Sequence, residues 1–559
     1  MAEYDAVLVG SGINSLVAGA MLARGGWSVC VLERNDYLGG AIKTAEITQP
    51  GFRHDVFSGW HPLFVGSAAY AELGEDLRAQ GLEYLNTTLP TGSVYPDGES
   101  AFLSTSQEDN VAELDRFADG DGAAWERVVS EFMPNADVAF GVMGTELWSP
   151  AGLRLALGAY RRMGARGALE FVGSGLSTCR DWLSDNFRSP RAHGLLAPWV
   201  LHTGLGPDAA ASGFMTQVIA VALQMGGMPV PRGGGARLVD ALVAVIRKNG
   251  GRCETGADVG KVLVSGGRAV GVLLRGGEAV MASGAVICNV TPTQLYTRLL
   301  EDGDVPSGLV RQARRFRYGR AGMQIHMALS EPPRWDGDER LGHAPMVHVT
   351  PGLDGVSRAV NEADRGLLPA EATVVCGQPL AVDPSRAPEG KGLLWIQLQE
   401  LPSRPKGDAA GEIEIGDGVW TESLRERYAD RIQSRLARHV PNLESALLER
   451  VVLSPADLQE ANINLVGGDP YSGSLTLDQN FLWRPLAGQP SHRTPIAGLY
   501  HVGASTHPGP GLGGVSGTLV AKELLLPPIA RRLLQRVPLA ERVMRPRASG
   551  TARAPRGRA

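Results

Sequence analysis

Cysteine is scarce in this chain. The five in 559 residues (Cys30, Cys179, Cys253, Cys288 and Cys376) are scattered, and no two form a C-x-x-C pair. A disulfide framework and a cysteine zinc site are thereby excluded, and a reducing compartment is expected. The redox-active pair that a disulfide reductase needs is missing too. Histidine and the acidic residues form no cluster with metal-ligand spacing, so no metal is expected. No apolar run of about 18 residues occurs, which leaves no candidate membrane span. The start, Met1-Ala-Glu-Tyr-Asp5, has neither the basic region nor the apolar stretch of a cleaved leader. Cytoplasmic residence is the expectation. A net charge of -5 gives no reason to expect nucleic acid as a partner. There is no tandem repeat.

What is present is enough chain for about two to four domains. Hydrophobic residues make up 43% and charged residues 20%, which suits a sizeable core. Residues 4 to 9 read as a short buried parallel strand, residues 13 to 25 as a helix stopped by Gly25-Gly26, and residues 28 to 33 as a second strand ending in a carboxylate. Residues 65 to 230 are mainly helical and irregular in pattern. Residues 237 to 249 predict an amphipathic helix, and Val259–Val264, Ala269–Leu274 and Ala279–Ala282 predict a β-meander. Ala285–Cys288 returns to a buried strand. Beyond residue 310 the pattern is mixed α/β, with strands expected near Met323–Leu329, Thr373–Cys376 and Leu393–Gln399 and a surface loop over residues 402 to 418.

Two glycine-rich turns stand near opposite ends. The first is Val9-Gly10-Ser-Gly12-Ile13-Asn14-Ser15, between strand and helix. Gly10 permits the tight turn. Gly12 lets the backbone approach a pyrophosphate seated at the positive end of the following helix. Ser15 takes the third fingerprint place, usually Gly or Ala, and is small enough for close helix–sheet packing. Glu33, at the end of the second strand, has the spacing of a carboxylate that accepts from ribose hydroxyls. The second turn runs from Gly503 through Ala504 and His507 to Gly514, and a helix-like run follows. Two distant turns of this kind predict one long cofactor clamped at both ends, and FAD fits.

Resemblance enters at Glu33-Arg34-Asn-Asp-Tyr-Leu-Gly39-Gly40. The segment resembles the motif that follows the dinucleotide fold in the amine oxidase superfamily, where the glycine pair runs beside the FAD phosphates. Ala41 replaces the more usual Arg, as in the branch holding phytoene desaturase-like oxidoreductases and CrtO-type carotene ketolases. Gly51-Phe-Arg-His54-Asp55, Ala68–Gly74, Gly233-Gly-Gly-Ala-Arg-Leu, and Ser474–Gln479 with Arg484-Pro485 are similar to that branch as well. The resemblance implies a backbone contact from Val259 to the adenine. It places Gly503 and Ala504 at the ribityl and phosphate region, and Gly514, Val515 and Ser516 under the flavin pyrimidine. The fold it implies is a Rossmann-like, glutathione-reductase-type FAD-binding domain with a β-meander, beside a mixed α/β substrate domain. Both are discontinuous: 1–64, 231–300 and 486–540 for the first, 65–230 and 301–485 for the second. Residues 541–559, rich in Arg and Pro, are expected to be a disordered basic tail.

The implied activity is FAD-dependent desaturation, dehydrogenation or ketolation of a hydrophobic small molecule, a carotenoid or other isoprenoid, with oxygen or a quinone as electron acceptor. A flavin amine oxidase acting on a small amine is the alternative. A non-catalytic prenyl-binding protein, like the Rab escort proteins, is a third reading, against which the two intact turns and Glu33 argue. A protein base is optional, because the cofactor carries the hard chemistry. Candidate bases are His54, His61, His202, His326 and His348. His61 follows the early FAD segment, and His202 lies in the substrate region. For each, a hydrogen-bonded structural role is the competing assignment. His507 reads as structural, and Asp478 as either a residue near the flavin or a turn residue. Residues 151 to 176 combine Leu153, Leu155, Leu157, Met163, Leu169 and Phe171 with Arg154, Arg161, Arg162 and Arg166. That pattern suits a helix lying on the inner face of a membrane, or a substrate-domain helix with a solvated basic face.

Overall fold

The computed structural model describes residues 3–527 and residue 529; the tail expected over 541–559 lies outside the described residues. Glu3–Val9, Val29–Leu32 and the far half of Ala279–Asn289 form a parallel core, with Leu499–Val502 joined to the last of these. The full order is Val259–Ser265, Arg268–Leu274, Ala279–Asn289, Glu3–Val9, Val29–Leu32 and Arg252–Glu254. Both faces of the core are covered, which is why its strands read as unbroken apolar runs. Ala6 and Leu8 face the helices Ile13–Arg24 and Ala236–Lys248, whereas Val7 and Val9 face the meander.

The meander differs from expectation in one respect. The two strands anticipated at Ala279–Ala282 and Ala285–Cys288 are one strand of 11 residues, Ala279–Asn289. Its first part pairs antiparallel with the meander and its second part pairs parallel with Glu3–Val9. Gly284 allows the continuation: a Cβ there would stand 2.6 Å from the Asp5 carbonyl oxygen.

A second seven-stranded sheet runs in the order Leu447–Leu453, Ala321–Leu329, Gly392–Leu401, Val374–Gly377, Met346–Val349, Thr91–Val94 and Ser100–Leu103. All neighbours are antiparallel except Met346–Val349 with Thr91–Val94. Side chains alternate across a sheet with period two. Met323, Ile325, Met327, Leu394, Ile396 and Leu398 fall on one face and pack against Leu424, Tyr428, Ile432 and Leu436 of the helix Glu422–Ala437. The opposite face carries polar side chains at the same strands.

Helices dominate residues 65–230, to which the hairpin Thr91–Leu103 adds two strands. Pro150–Gly175 is a helix of 26 residues, broken at Gly164 (φ 70°), and it buries none of its residues. It lies along Ala136–Gly144, where Leu155 fills the space over Gly141 and Arg162 pairs with Asp137 at 2.8 Å. Among the described residues, no helix is long and apolar enough to cross a membrane.

Candidate functional site

The first glycine turn is held from within. Gly10 has φ +84°, and its N–H donates to the Leu32 carbonyl at 2.8 Å. Ser11 donates to Glu33 Oε2 through both its N–H (2.9 Å) and its hydroxyl (2.7 Å), and its Oγ accepts from the Gly39 N–H at 2.9 Å. Glu33 Oε1 accepts from the Asn35 N–H at 2.9 Å. A carboxylate offers about four acceptor positions, so Glu33 retains room for a ribose hydroxyl while bracing the loop. Gly39 and Gly40 take φ +118° and +61°, and a Cβ on Gly40 would sit 3.1 Å from the Gly12 Cα. Glycine is required there for the turn and for the close approach alike.

The second turn is built the same way. The Gly503 N–H donates to Ser516 Oγ at 2.9 Å, and Gly514, at φ +66°, precedes the helix Val515–Leu525. The buried guanidinium of Arg484 donates to the Ala504 carbonyl at 2.7 Å and shapes the same loop. The helices Ile13–Arg24 and Val515–Leu525 lie side by side. The Asn14 side chain accepts from the Gly517 N–H at 3.2 Å, and a Cβ on Gly517 would stand only 1.9 Å from the Asn14 carbonyl oxygen. Neither helix has a side-chain cap, and neither has an acidic residue in its first turn. Their positive ends therefore open together onto one cavity. Asn289, at the end of the long strand, stands against Gly10, Gly12 and Gly503 and joins the two turns.

The cavity holds about 930 Å³, near the top of the roughly 300–1,000 Å³ usual for ligand sites. Gly10, Gly12, Ile13, Asn14, Glu33, Arg34, Gly39, Gly40, Ala41, Val259, Ala504, Gly514 and Val515 line it; Ser15, Gly503 and Ser516 do not. The charged lining residues are Glu33, Arg34, Asp258 and Arg298, and they share one end. Arg298 donates to Asp258 (3.0 Å) and to the Val259 carbonyl (3.3 Å), while its Nε is buried with no partner. Paired uncapped helix ends, crowded glycines and a charged end with an unpaired guanidinium N–H fit a dinucleotide with two phosphates.

Away from that end the walls are neutral. The polar face of the second sheet supplies Gln324, Met346, Trp395, Gln397 and Gln399, and the helical segments supply Trp199 and His202. His202 Nε2 lies 3.1 Å from His348 Nε2, and its ring stacks on Trp199 with centroids 4.6 Å apart. Burial holds His202 down to about 3, so it is neutral at ordinary pH. Leu63, Phe140 and Met225 both line the cavity and are exposed, which marks its mouth.

Of the five candidate histidines, His202 alone lines the cavity. His61 points into protein, its Nδ1 3.0 Å from the Tyr84 hydroxyl. His54 and His326 stack edge to face at 5.2 Å behind the wall, and His348 supports His202. His507 bonds to the Val142 carbonyl at 2.9 Å. Asp478 is at the surface, 2.6 Å from Arg317. The motif segments around Asp55 and Gly233 prove to be halves of one latch. Asp55 accepts from the Gly235 N–H (2.9 Å) and pairs with buried Arg386 (2.9 Å). Ser11, Asn289, Arg298, Gly517 and the polar sheet face were not singled out from sequence. The face had a legible signal: Gln324/His326 and Trp395/Gln397/Gln399 recur at period two within apolar strands.

Comparisons with known proteins agree with this geometry. The model of the flavin containing amine oxidoreductase family matches residues 16–524. The chain is 27% identical over 551 residues to the rat protein named pyridine nucleotide-disulfide oxidoreductase domain-containing protein 2, covering 92% of each chain. It is 26% identical over 545 residues to the zeta-carotene-forming phytoene desaturase of Myxococcus xanthus, covering 93% of each. A solved structure of putrescine oxidase bound to putrescine shares the fold, with a TM-score of 0.59 at 16% identity, covering 94% of this chain and 99% of that one. The chain belongs to the flavin containing amine oxidoreductase family and is an FAD-dependent oxidoreductase.

Proposed function

We propose that the protein removes hydride from a small molecule with a large apolar body, as a desaturase or dehydrogenase of isoprenoid-like substrates. The observation that carries this reading is the division of the cavity. Charge is confined to the end that suits the adenosine and phosphates, and the remaining walls hold no charged side chain. An apolar body gains free energy against such walls, at about 25 cal/mol per Å² removed from water. A small diamine would find no carboxylate there. The phytoene desaturase relative supports the same substrate class. Bound FAD supplies the hydride acceptor. The residues that would hold it are those of the two glycine turns with Glu33, Arg34, Gly39, Gly40, Ala41 and Val259. His202 and the indole of Trp199 would orient the substrate carbon, and neutral His202 offers a hydrogen bond rather than a charge.

The mouth supports delivery from a lipid surface. Leu153, Leu157, Tyr160, Leu169 and Val172 of the unburied helix are 44–74% exposed, and Arg154, Arg161 and Arg166 accompany them. An exposed apolar face with basic residues suits the anionic inner face of a membrane. A quinone reaching the flavin from that surface, or oxygen, would serve as electron acceptor. The test is anaerobic mixing of the yellow protein with isoprenoid hydrocarbons, isoprenoid alcohols and putrescine. Bleaching of the flavin absorbance by the isoprenoids and not by putrescine is expected. Bleaching by putrescine alone, with hydrogen peroxide released on adding air, would establish the amine oxidase reading instead.

A further inference from the structure

Two hydrogen-bond chains end at the neutral part of the cavity, and each has its direction fixed from inside the protein. The first starts at the Leu201 carbonyl, which can only accept. The Tyr471 hydroxyl donates to it at 2.7 Å, and burial raises this phenol well above its ordinary range, so the proton stays. With that single proton spent, the Gln399 Nε2 lying 2.9 Å from the hydroxyl must donate to it. Gln399 Nε2 donates its second hydrogen to Gln397 Oε1 at 3.2 Å. The network thereby assigns the oxygen and nitrogen of the Gln397 amide. Gln397 is a half-buried residue of the cavity lining, and its Nε2 has no partner in the protein and is not enclosed. The chain delivers an N–H donor to the cavity.

The second chain starts at His348, whose Nδ1 is enclosed with no partner. An orphaned buried N–H is rarer than an under-satisfied buried acceptor, so this ring carries its hydrogen on Nε2. From there it donates to His202 Nε2 at 3.1 Å. Burial keeps both rings neutral, so His202 holds its one hydrogen on Nδ1. His202 lines the cavity, and its Nδ1, unlike that of His348, is not enclosed. Leu201, the anchor of the first chain, directly precedes His202.

We propose that Gln397 and His202 are a donor pair for an uncharged acceptor oxygen on the substrate, a carbonyl foremost. Tyr471, Gln399 and His348 are positioning residues, which set the atom that each partner presents. The inference rests on the reading above, in which an apolar body fills the neutral part of the cavity. A carbonyl oxygen has two lone pairs and no hydrogen, and so suits two donors. An ammonium brings only hydrogens and would confront both. A carboxylate would accept from both but enter a wall with no cation in its lining. A hydrocarbon would leave both donors without a partner.

The experiment titrates the flavin-loaded protein with 2-dodecanone, dodecane, dodecylamine and dodecanoate, following the flavin absorbance. The ketone is expected to bind about tenfold more tightly than the alkane. Its carbonyl stretch, read by infrared difference spectroscopy, should lie below the frequency seen in alkane solvent. Gln397→Glu, which keeps the shape and removes the donor, should bring the ketone down to the affinity of the alkane and raise that of the amine. Tyr471→Phe and His348→Phe keep a ring and break one chain each. Both should reduce the infrared shift with the alkane affinity unchanged, which a loss of packing alone would not do. Equal binding of ketone and alkane by the native protein would overturn the donor pair and leave the apolar-body reading standing. So would a preference for the carboxylate, or a ketone whose affinity and stretch Gln397→Glu leaves as they were. Variants that move the flavin spectrum with the ketone unaffected would overturn it too, since the donors would then serve the flavin. Preference of the native protein for the amine, or no binding of any chain, would overturn the apolar-body reading and the donor pair with it.

Discussion

At the scale of single residues, the site depends on atoms that are missing. A Cβ on Gly12 would lie 2.8 Å from Asn289 Nδ2, and one on Gly503 would lie 2.3 Å from Asn289 Oδ1. The glycines make room for a neighbouring asparagine as much as for a ligand. Gly517 is the sharpest case, because its obstacle is the Asn14 backbone at 1.9 Å and cannot rotate aside. Gly517→Val must push the helix Val515–Leu525 away from Ile13–Arg24. Overpacking of this kind costs about 1–3 kcal/mol or more. It also separates the two positive helix ends that share the cavity. We expect the variant to purify with reduced flavin content and a lowered melting temperature, measured by flavin-to-protein absorbance ratio and calorimetry. Full flavin occupancy in that variant would mean that contact between the two helices is not needed for binding.

At the scale of elements, the helix Pro150–Gly175 stands apart. An ordinary surface helix buries one stripe, and this one fully buries no residue while exposing Leu153, Leu157, Leu169 and Val172. The fold therefore gains little from those side chains, and exposed substitutions usually change stability by under about 0.5 kcal/mol each. Changing the four to Ser is expected to leave the melting temperature within a few degrees. The same change should abolish co-sedimentation with vesicles containing anionic lipid. Undiminished vesicle binding would remove this helix from the docking surface. The two faces of the second sheet make the complementary point. Strands such as Ala321–Leu329 are apolar on the helix side and polar on the cavity side, and the same alternation that supports folding supplies the site.

At the scale of the whole molecule, burial of histidine sets the response to acid. Burial lowers His61, His326, His501 and His507 to about 4, His202 to about 3 and His54 to about 2, and it lowers His348 as well. Their ordinary value is 6.5, so the unfolded chain takes up protons first as the pH falls. Stability is thus complete above about pH 6.5 and is lost progressively toward pH 4. The slope is about 1.4 kcal/mol per pH unit for each histidine that stays neutral in the fold. We expect the melting temperature to fall by several degrees per pH unit below 6.5, measured by differential scanning fluorimetry. A flat profile down to pH 5 would contradict neutral burial of this set.

The parts of the protein that could be read from residue order are those whose physical demands are local. Positive φ, close backbone approach and an uncapped helix end are met by glycine at particular spacings, so Gly10, Gly12, Gly39, Gly40 and Gly514, which line the cavity, were legible in the sequence as turns; Gly503 was legible too but stands outside the lining. Apolar runs announced the parallel strands for the same reason, since burial on both faces leaves a continuous signature. The polar cavity face of the second sheet carried only the period-two recurrence of Gln324 with His326 and of Trp395, Gln397 and Gln399, which does not tell what lies opposite it. Trp199, Gln324 and Gln399 are brought together by strand register and by helices far apart in the chain, and a lone glutamine or tryptophan carries no sign of which cavity it will face. Asn289 and Gly517 were hidden likewise, because their importance lies in what a distant segment places within a few ångströms of them. The amino-acid order therefore pointed to the cofactor, through local backbone geometry; the tertiary fold alone decided which side chains line the rest of the cavity, through contacts between segments that share no sequence neighbourhood.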